Sequence, residues 1–475
     1  MRIEENYIKH GYFWLPENKD IKIPGILSIS DGGRAELEII GSFGEKNGFN
    51  YDEMYDDMYL KQIIGLVEDN ELIILNKCCY IQKYISLNDN ITKSKISSDQ
   101  VFAGLESIDN EDITFNTFSF SVDCLDEWVN EKAFKVNRDY KNKTISIIYN
   151  NPNKKTLVLE NGMKLDLNFS YSTPKIPIIT EAKITQRTFF TLKSEEPCNI
   201  DLFISLAHKI SHLISFAVGE TVSIKNVSAR KYKENDESLQ YYPQETKIFY
   251  RSTTYTNNIP KCLAWDMLFN FNTIKDNTEE VFNKWINAYE NLSPTLFLYF
   301  STKNNSINKI ESKFLALAQA QAQALETYHR RLSDEKLMAD DIYESLLSEI
   351  INSCPKEHKN WLYGRLKYGN EITLSKRLKK IIEPFKEYFG NNEQRQKLIK
   401  RIVDTRNFLT HYDKSLIDKS ANSGRELYIL YYKMEIILQL NFLHMIGFTS
   451  EDIKNIVKDC TVIQSKFESI KNLSR

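Results

Sequence analysis

Ile402-Val403-Asp404-Thr405-Arg406-Asn407-Phe408-Leu409-Thr410-His411-Tyr412-Asp413 sets an arginine and a histidine five positions apart at the end of a helical pattern, and the reading of the C-terminal fold turns on it. On an α-helix Asp404, Asn407 and His411 share one stripe at i, i+3 and i+7, whereas Arg406 points well away from His411. One straight helix does not bring the pair together. Either the helix ends near Thr410 and His411 swings round, or Arg and His from two facing chains complete each other. The polar run from Tyr412 to Gly424 reads as a helix end and loop, which leaves both arrangements open.

Upstream, Lys376, Arg377, Lys379 and Lys380, then Arg395, Lys397, Lys400 and Arg401, form two basic clusters leading into this stretch. A charge run by itself is usually a solvated helix face. Just ahead of Arg406, Lys376, Arg377, Lys380, Lys397, Lys400 and Arg401 are also candidates for phosphate contacts with RNA. From Asn308 onward, helical segments are expected at about 308–332, 339–353, 356–368, 374–389, 393–411, 424–446 and 450–470. Residues 301–475 are therefore expected to form an all-α bundle. The apolar stretch Tyr428 to Phe448 is interrupted by Lys433, Glu435, Gln439, Asn441 and His444, and reads as a buried amphipathic helix rather than a membrane span.

The first part of the chain has another texture. Ile23-Pro24-Gly25-Ile26-Leu27-Ser28-Ile29 and Ala35-Glu36-Leu37-Glu38-Ile39-Ile40-Gly41 are short apolar runs, and Glu71–Ile81, Asn116–Val122, Thr144–Tyr149, Thr156–Leu159 and Ile184–Leu192 continue the pattern. Asp31-Gly32-Gly33 and Asn161-Gly162 read as turns between strands. Asn199 to Val218 repeats its apolar residues at three and four, the stripe of an amphipathic helix, and a second helix is expected at about Thr278–Tyr289. With further strands at Thr221–Val227 and Thr246–Arg251, the expectation for residues 1–300 is an α+β unit: a β-rich sandwich or barrel-like domain with a few helices.

At 475 residues the chain exceeds one ordinary core, and about 150 residues per domain suggests two or three units, of which two is the working number. The 62 Lys and Arg nearly balance 64 Asp and Glu, so any polyanion site must be local. Seven cysteines lack zinc-site spacing and the density of a disulfide scaffold, which fits a reducing cytosol. The first ten residues have no apolar core of a signal peptide. The expected location is therefore the cytoplasm, with no membrane partner.

Arg406-Asn407-Phe408-Leu409-Thr410-His411 resembles the R-x4-6-H signature of HEPN ribonucleases, with a polar Asn directly after the Arg. The longer context from Ile402 to Asp413 resembles the extended form in the ApeA-like branch of HEPN domains, and Glu326-Thr327-Tyr328-His329-Arg330 resembles that branch's Glu-x-x-His-Arg element. Gly11-Tyr12-Phe13-Trp14-Leu15-Pro16, Ile23 to Leu27 and Leu37 to Phe43 resemble the start of the ApeA-type N-terminal domain. The resemblance implies a cytoplasmic bacterial anti-phage protein with a C-terminal endoribonuclease domain, acting by abortive infection on RNA after a phage-derived trigger. It gives Arg406 and His411 the catalytic pair, Asn407 the polar place beside the Arg, and Asp404, Glu326, His329 and Arg330 supporting positions. His329 is either a second catalytic imidazole or part of an intrahelical network in which Glu326 pairs with Arg330.

Chemistry gives the pair a rationale. Cleavage of RNA without a metal needs a base for the ribose 2'-OH, an acid for the leaving 5'-oxygen and a cation for the charge on the phosphoryl oxygens. His titrates near neutrality, and Arg stays charged and grips phosphate in a fork. Asn407 is placed to orient the His or hold a phosphate oxygen. The expected enzyme is a homodimer through its HEPN domain, with neither metal nor other cofactor. The rival reading keeps the fold as an RNA-binding or assembly module and puts the active or sensing function in the N-terminal domain. His208 and His212, at i and i+4, are read as structural, since Lys209 stands where a zinc protease has its Glu. Asp52 to Asp57 reads as an acidic loop or helix start, and no phosphate-binding glycine motif is present.

Overall fold

A computed structural model describes residues 1–43, 59–85, 92–105, 113–176, 180–232, 245–303, 309–321, 336–421 and 424–473. The acidic run Asp52–Asp57 and the element Glu326, His329, Arg330 lie outside the described residues. The chain divides into two compact units, Met1–Asn283 and Lys284–Arg475.

In the first unit, β1 (Tyr7–Trp14), β2 (Ile23–Ser30), β3 (Arg34–Ile40), β4 (Tyr59–Val67), β5 (Glu71–Ile85) and β6 (Thr92–Ala103) close into a six-stranded antiparallel barrel in the order β1-β2-β3-β6-β5-β4. Alternation drives this: Phe13, Leu27, Leu37, Ile63 and Ile96 are fully buried, while Tyr12, Ile26 and Glu38 beside them are exposed. Closure depends on two glycines. A Cβ at Gly11 would stand 2.4 Å from the Leu66 carbonyl oxygen, so only glycine lets β1 approach β4 there. Gly65 leaves room for the Phe13 ring, which would lie 2.5 Å from a Cβ.

The last residues of β6 pair with β14 (Thr246–Tyr250), which carries the sheet on through β13 (Ile224–Arg230), β7 (Thr114–Val122), β12 (Thr185–Asn199), β11 (Lys164–Ser172) and β10 (Lys155–Val158). A separate hairpin, β8 (Phe134–Asp139) and β9 (Thr144–Tyr149), is almost wholly exposed. After the short α1 (Leu125–Val129), helix α2 (Ile200–Val218) covers the sheet, with Phe203 stacked on Phe118 at 5.8 Å. Asn199 caps its start by accepting from the Asp201 amide, and Gly219 ends it at φ 83°. By length and composition α2 is apolar enough to span a membrane, but most of it is buried in this unit. Arg2 and Asp123 form a buried ion pair at 2.9 Å. Beside it Cys124 is disulfide-bonded to Cys262, 138 residues away. The cysteine pattern did not anticipate this bond, because only folding brings the two positions together.

The second unit is helical. Helix α3 (Thr278–Lys303) runs well past the expected end at Tyr289 despite Pro294, and is followed by α4 (Ile310–Gln319), α5 (Asp340–Ser353) and α6 (Lys359–Leu366). Helix α7 (Leu374–Ile382) stops earlier than the expected residue 389, because Pro384 opens a 3-10 turn over Glu383–Phe389. Then come α8 (Asn392–His411), α9 (Gly424–Met445), α10 (Ser450–Asp459) and α11 (Thr461–Leu473), the last two separated at Cys460 where one helix was expected. Helix α9 is buried on nearly every side and packs against α4, α7, α10 and α11. Three of its polar residues are engaged inside: Asn441 donates to the Ile381 carbonyl at 3.0 Å, and Gln439 donates to the Tyr299 hydroxyl at 3.0 Å. Glu435 sits between Lys303 and Lys466, the latter at 3.0 Å. Burial opposes its ionised form, but the two ammonium groups prevail and hold its pKa down to about 2.

Candidate active site

Helix α8 carries the Arg–His pair. Asn391 and Gln394 close its first turn in a reciprocal capping box, and Leu398, Ile399, Ile402 and Thr405 form its buried face. The Thr405 hydroxyl donates to the Arg401 carbonyl at 2.7 Å and accepts the Ala421 amide at 2.9 Å, which pins the returning chain against the helix. The helix continues through His411, and Tyr412 ends it in the left-handed region at φ 52°. His411 therefore does not swing round after Thr410, the first of the two arrangements open from sequence. At about 100° per residue, Arg406 and His411 lie about 140° apart around the axis and about 7.5 Å apart along it.

Both side chains are exposed. Arg406 Nη1 donates to Asn407 Oδ1 at 3.0 Å, so within one chain Asn407 holds the guanidinium rather than the imidazole. Asp404 is half-buried, and its carboxylate has no hydrogen bond or ion pair among the described residues. Asp413, two positions beyond His411, was not singled out from sequence as a site residue. Its carboxylate accepts the Ser415 amide at 2.9 Å, and this bond, with smaller contributions from Lys419 and His411, lowers its pKa below the usual range. His-x-Asp at a helix end was the available signal: the turn puts an anion beside the imidazole.

The six basic candidates separate into paired and unpaired groups. Arg401 is bound to Glu426 at 2.9 Å, Lys397 to Glu393 at 2.7 Å, and Arg377 lies 4.0 Å from Glu371. Lys376 on α7 and Lys400 on α8 are exposed with no ion pair among the described residues, and Lys380, also exposed on α7, is not one of the unpaired residues. In the first unit the His208 and His212 rings lie 4.3 Å apart, tilted against each other; burial lowers the pKa of His208 to about 4 and holds that of His212 well below the usual histidine value. Among the described residues no group of three or more His, Cys, Asp or Glu converges as metal ligands would.

Two family models match the chain: ApeA N-terminal domain 1 over residues 8–285, and Apea-like HEPN over residues 320–452. Neither the search of curated proteins nor that of solved structures returned a match. The first family model covers the barrel, its sheet extension and α2, and the second covers α8 with Arg406 and His411. The chain therefore belongs to the ApeA family, with an ApeA-type N-terminal domain ahead of an Apea-like HEPN domain.

Proposed function

We propose that this protein is an anti-phage effector whose HEPN domain cleaves RNA by attack of the ribose 2'-OH, without a metal, leaving a 2',3'-cyclic phosphate and a 5'-OH. The observation that carries the reading is the exposed Arg406–His411 pair at the end of α8, inside a domain of a family associated with ribonuclease activity. With about 140° between them on one helix, the two side chains serve one phosphate when two copies of the chain face each other, Arg406 of one meeting His411 of the other. In such a site His411 takes the 2'-OH proton and Arg406 holds the phosphoryl oxygens. Asn407 fixes the guanidinium, and the Asp413 carboxylate stands near the imidazole.

Lys376 and Lys400, without an ion pair among the described residues, supply non-specific attraction for the RNA backbone. The ApeA-type domain restrains the nuclease until a phage-derived trigger releases it in the cytoplasm, and the resulting RNA damage aborts the infection. The test is to express wild type, Arg406→Ala and His411→Ala in phage-challenged bacteria and sequence the ends of total RNA. New 5'-OH ends in wild type alone are expected, and purified protein should give them in the presence of chelator, with DNA left intact. Identical RNA ends in all three strains, with protection retained by the variants, would overturn the reading and move the function to the N-terminal unit.

A further inference from the structure

A cleft of about 550 Å³ in the helical unit is lined by α8, α9, α11 and the Glu383–Phe389 turn, apart from the Arg406–His411 pair. Three cations line it: Lys397 and Arg401 from α8 and Lys433 from α9, against the single carboxylate of Glu426. Arg401 already occupies Glu426 at 2.9 Å, and Lys397 pairs with Glu393. Lys433 has neither ion pair nor hydrogen bond among the described residues, and burial lowers its pKa with no carboxylate to offset it. A half-buried ammonium without a counterion is costly unless an anion arrives from outside.

The remaining walls say what accompanies that anion. Phe389 and Phe467 give the cleft aromatic surface, and Tyr388 lines it beside them. Ammonium and aromatic wall together match a phosphate attached to a base. The position is suggestive too: Lys397, Arg401, Asp404 and His411 fall within about 80° of one another around α8, and His411 lies about 15 Å beyond Arg401.

We propose that this cleft binds a nucleotide, its phosphate at Lys433 and its base against the aromatic walls. The proposal rests on the ribonuclease reading for the preferred source of that nucleotide, an RNA strand running along α8 toward His411. A free mononucleotide offers the same chemistry.

The experiment uses the full chain carrying His411→Ala, so that RNA survives the titration. Binding of a fluorescent ten-nucleotide single-stranded RNA, and competition by AMP, are measured with Lys433 intact, Lys433→Met and Lys433→Arg. Lys433→Met should weaken binding about fivefold to tenfold and reduce the salt slope by about one, while Lys433→Arg restores both. Loss of AMP competition alone would assign the cleft to a free nucleotide, and loss of RNA binding would assign it to the substrate strand. Equal affinities and salt slopes for Lys433→Met, with its thermal unfolding unchanged, would overturn the proposal, as would no binding of either probe. Those results leave the ribonuclease reading untouched, since it is judged by 5'-OH ends.

Discussion

In the β-rich unit the prominent charge cluster is shut away: Arg2 and Asp123 are both buried and paired at 2.9 Å beside the end of β7. The helical unit has a buried cluster of the same kind in Lys303, Glu435 and Lys466, but it also displays Arg406 and His411 in the open at the end of α8. The contrast separates two uses of charge. A buried ion is retained only with partners, whereas the side chains suited to phosphate chemistry lie where a substrate or second chain can reach them.

The sharpest way to break this contrast is to remove one group of each kind. His411→Ala should reduce RNA cleavage at least about a hundredfold while leaving the melting temperature unchanged, as measured by 5'-OH end formation and calorimetry. Glu435→Ala should do the reverse. It strands two buried ammonium groups and should destabilise the helical unit by about 3–5 kcal/mol, read from its unfolding transition in urea.

Acidity refines the comparison. The folded pKa of Glu435 is depressed to about 2 from 4.5, so its stabilising contribution is present above pH 4.5 and is lost as pH falls toward 2. Lys466 is lowered from 10.5 to about 8, by burial first and against the pull of Glu435. Between those values the unfolded chain binds more protons, so stability should rise with pH from about 8 to 10.5 relative to Lys466→Met. A pH-independent difference between the two proteins would remove Lys466 from the buried cluster. The smallest effect belongs to Lys397, whose exposed i,i+4 partner is Glu393: Lys397→Ala should change stability by no more than about 0.5 kcal/mol in a thermal melt.

The two units also differ in how far their sequences could be read. Alternation marked β2, β3 and β7, and Asp31-Gly32-Gly33 and Asn161-Gly162 are turns, with Gly33 and Gly162 amides bonded to the Ser30 and Leu159 carbonyls. Ring closure was not legible in detail, because β6 meets β3, β5 and β14, partners far apart in sequence. The same holds for Cys124 and Cys262.

Helices were easier to find than to end. Residues 393–411 became Asn392–His411, but Pro384 shortened α7 and Cys460 divided the last helical segment, since a single backbone turn there hardly disturbs the apolar period. At the candidate site, Arg406, Asn407 and His411 are singled out by their resemblance to the HEPN signature, and only their lack of convergence on one helix follows from spacing. What spacing could not supply was the partner of each side chain: Asn407 on Arg406, Glu426 on Arg401, and none at Lys433 among the described residues.

The central claim is that the active site is shared between two copies of the chain. Purified Arg406→Ala and His411→Ala proteins, each inactive alone, can be mixed under conditions in which labelled chains are seen to exchange. A shared site predicts that cleavage returns to roughly a quarter of the wild-type rate, from mixed dimers holding one intact Arg–His pair. No recovery despite exchange would contradict it.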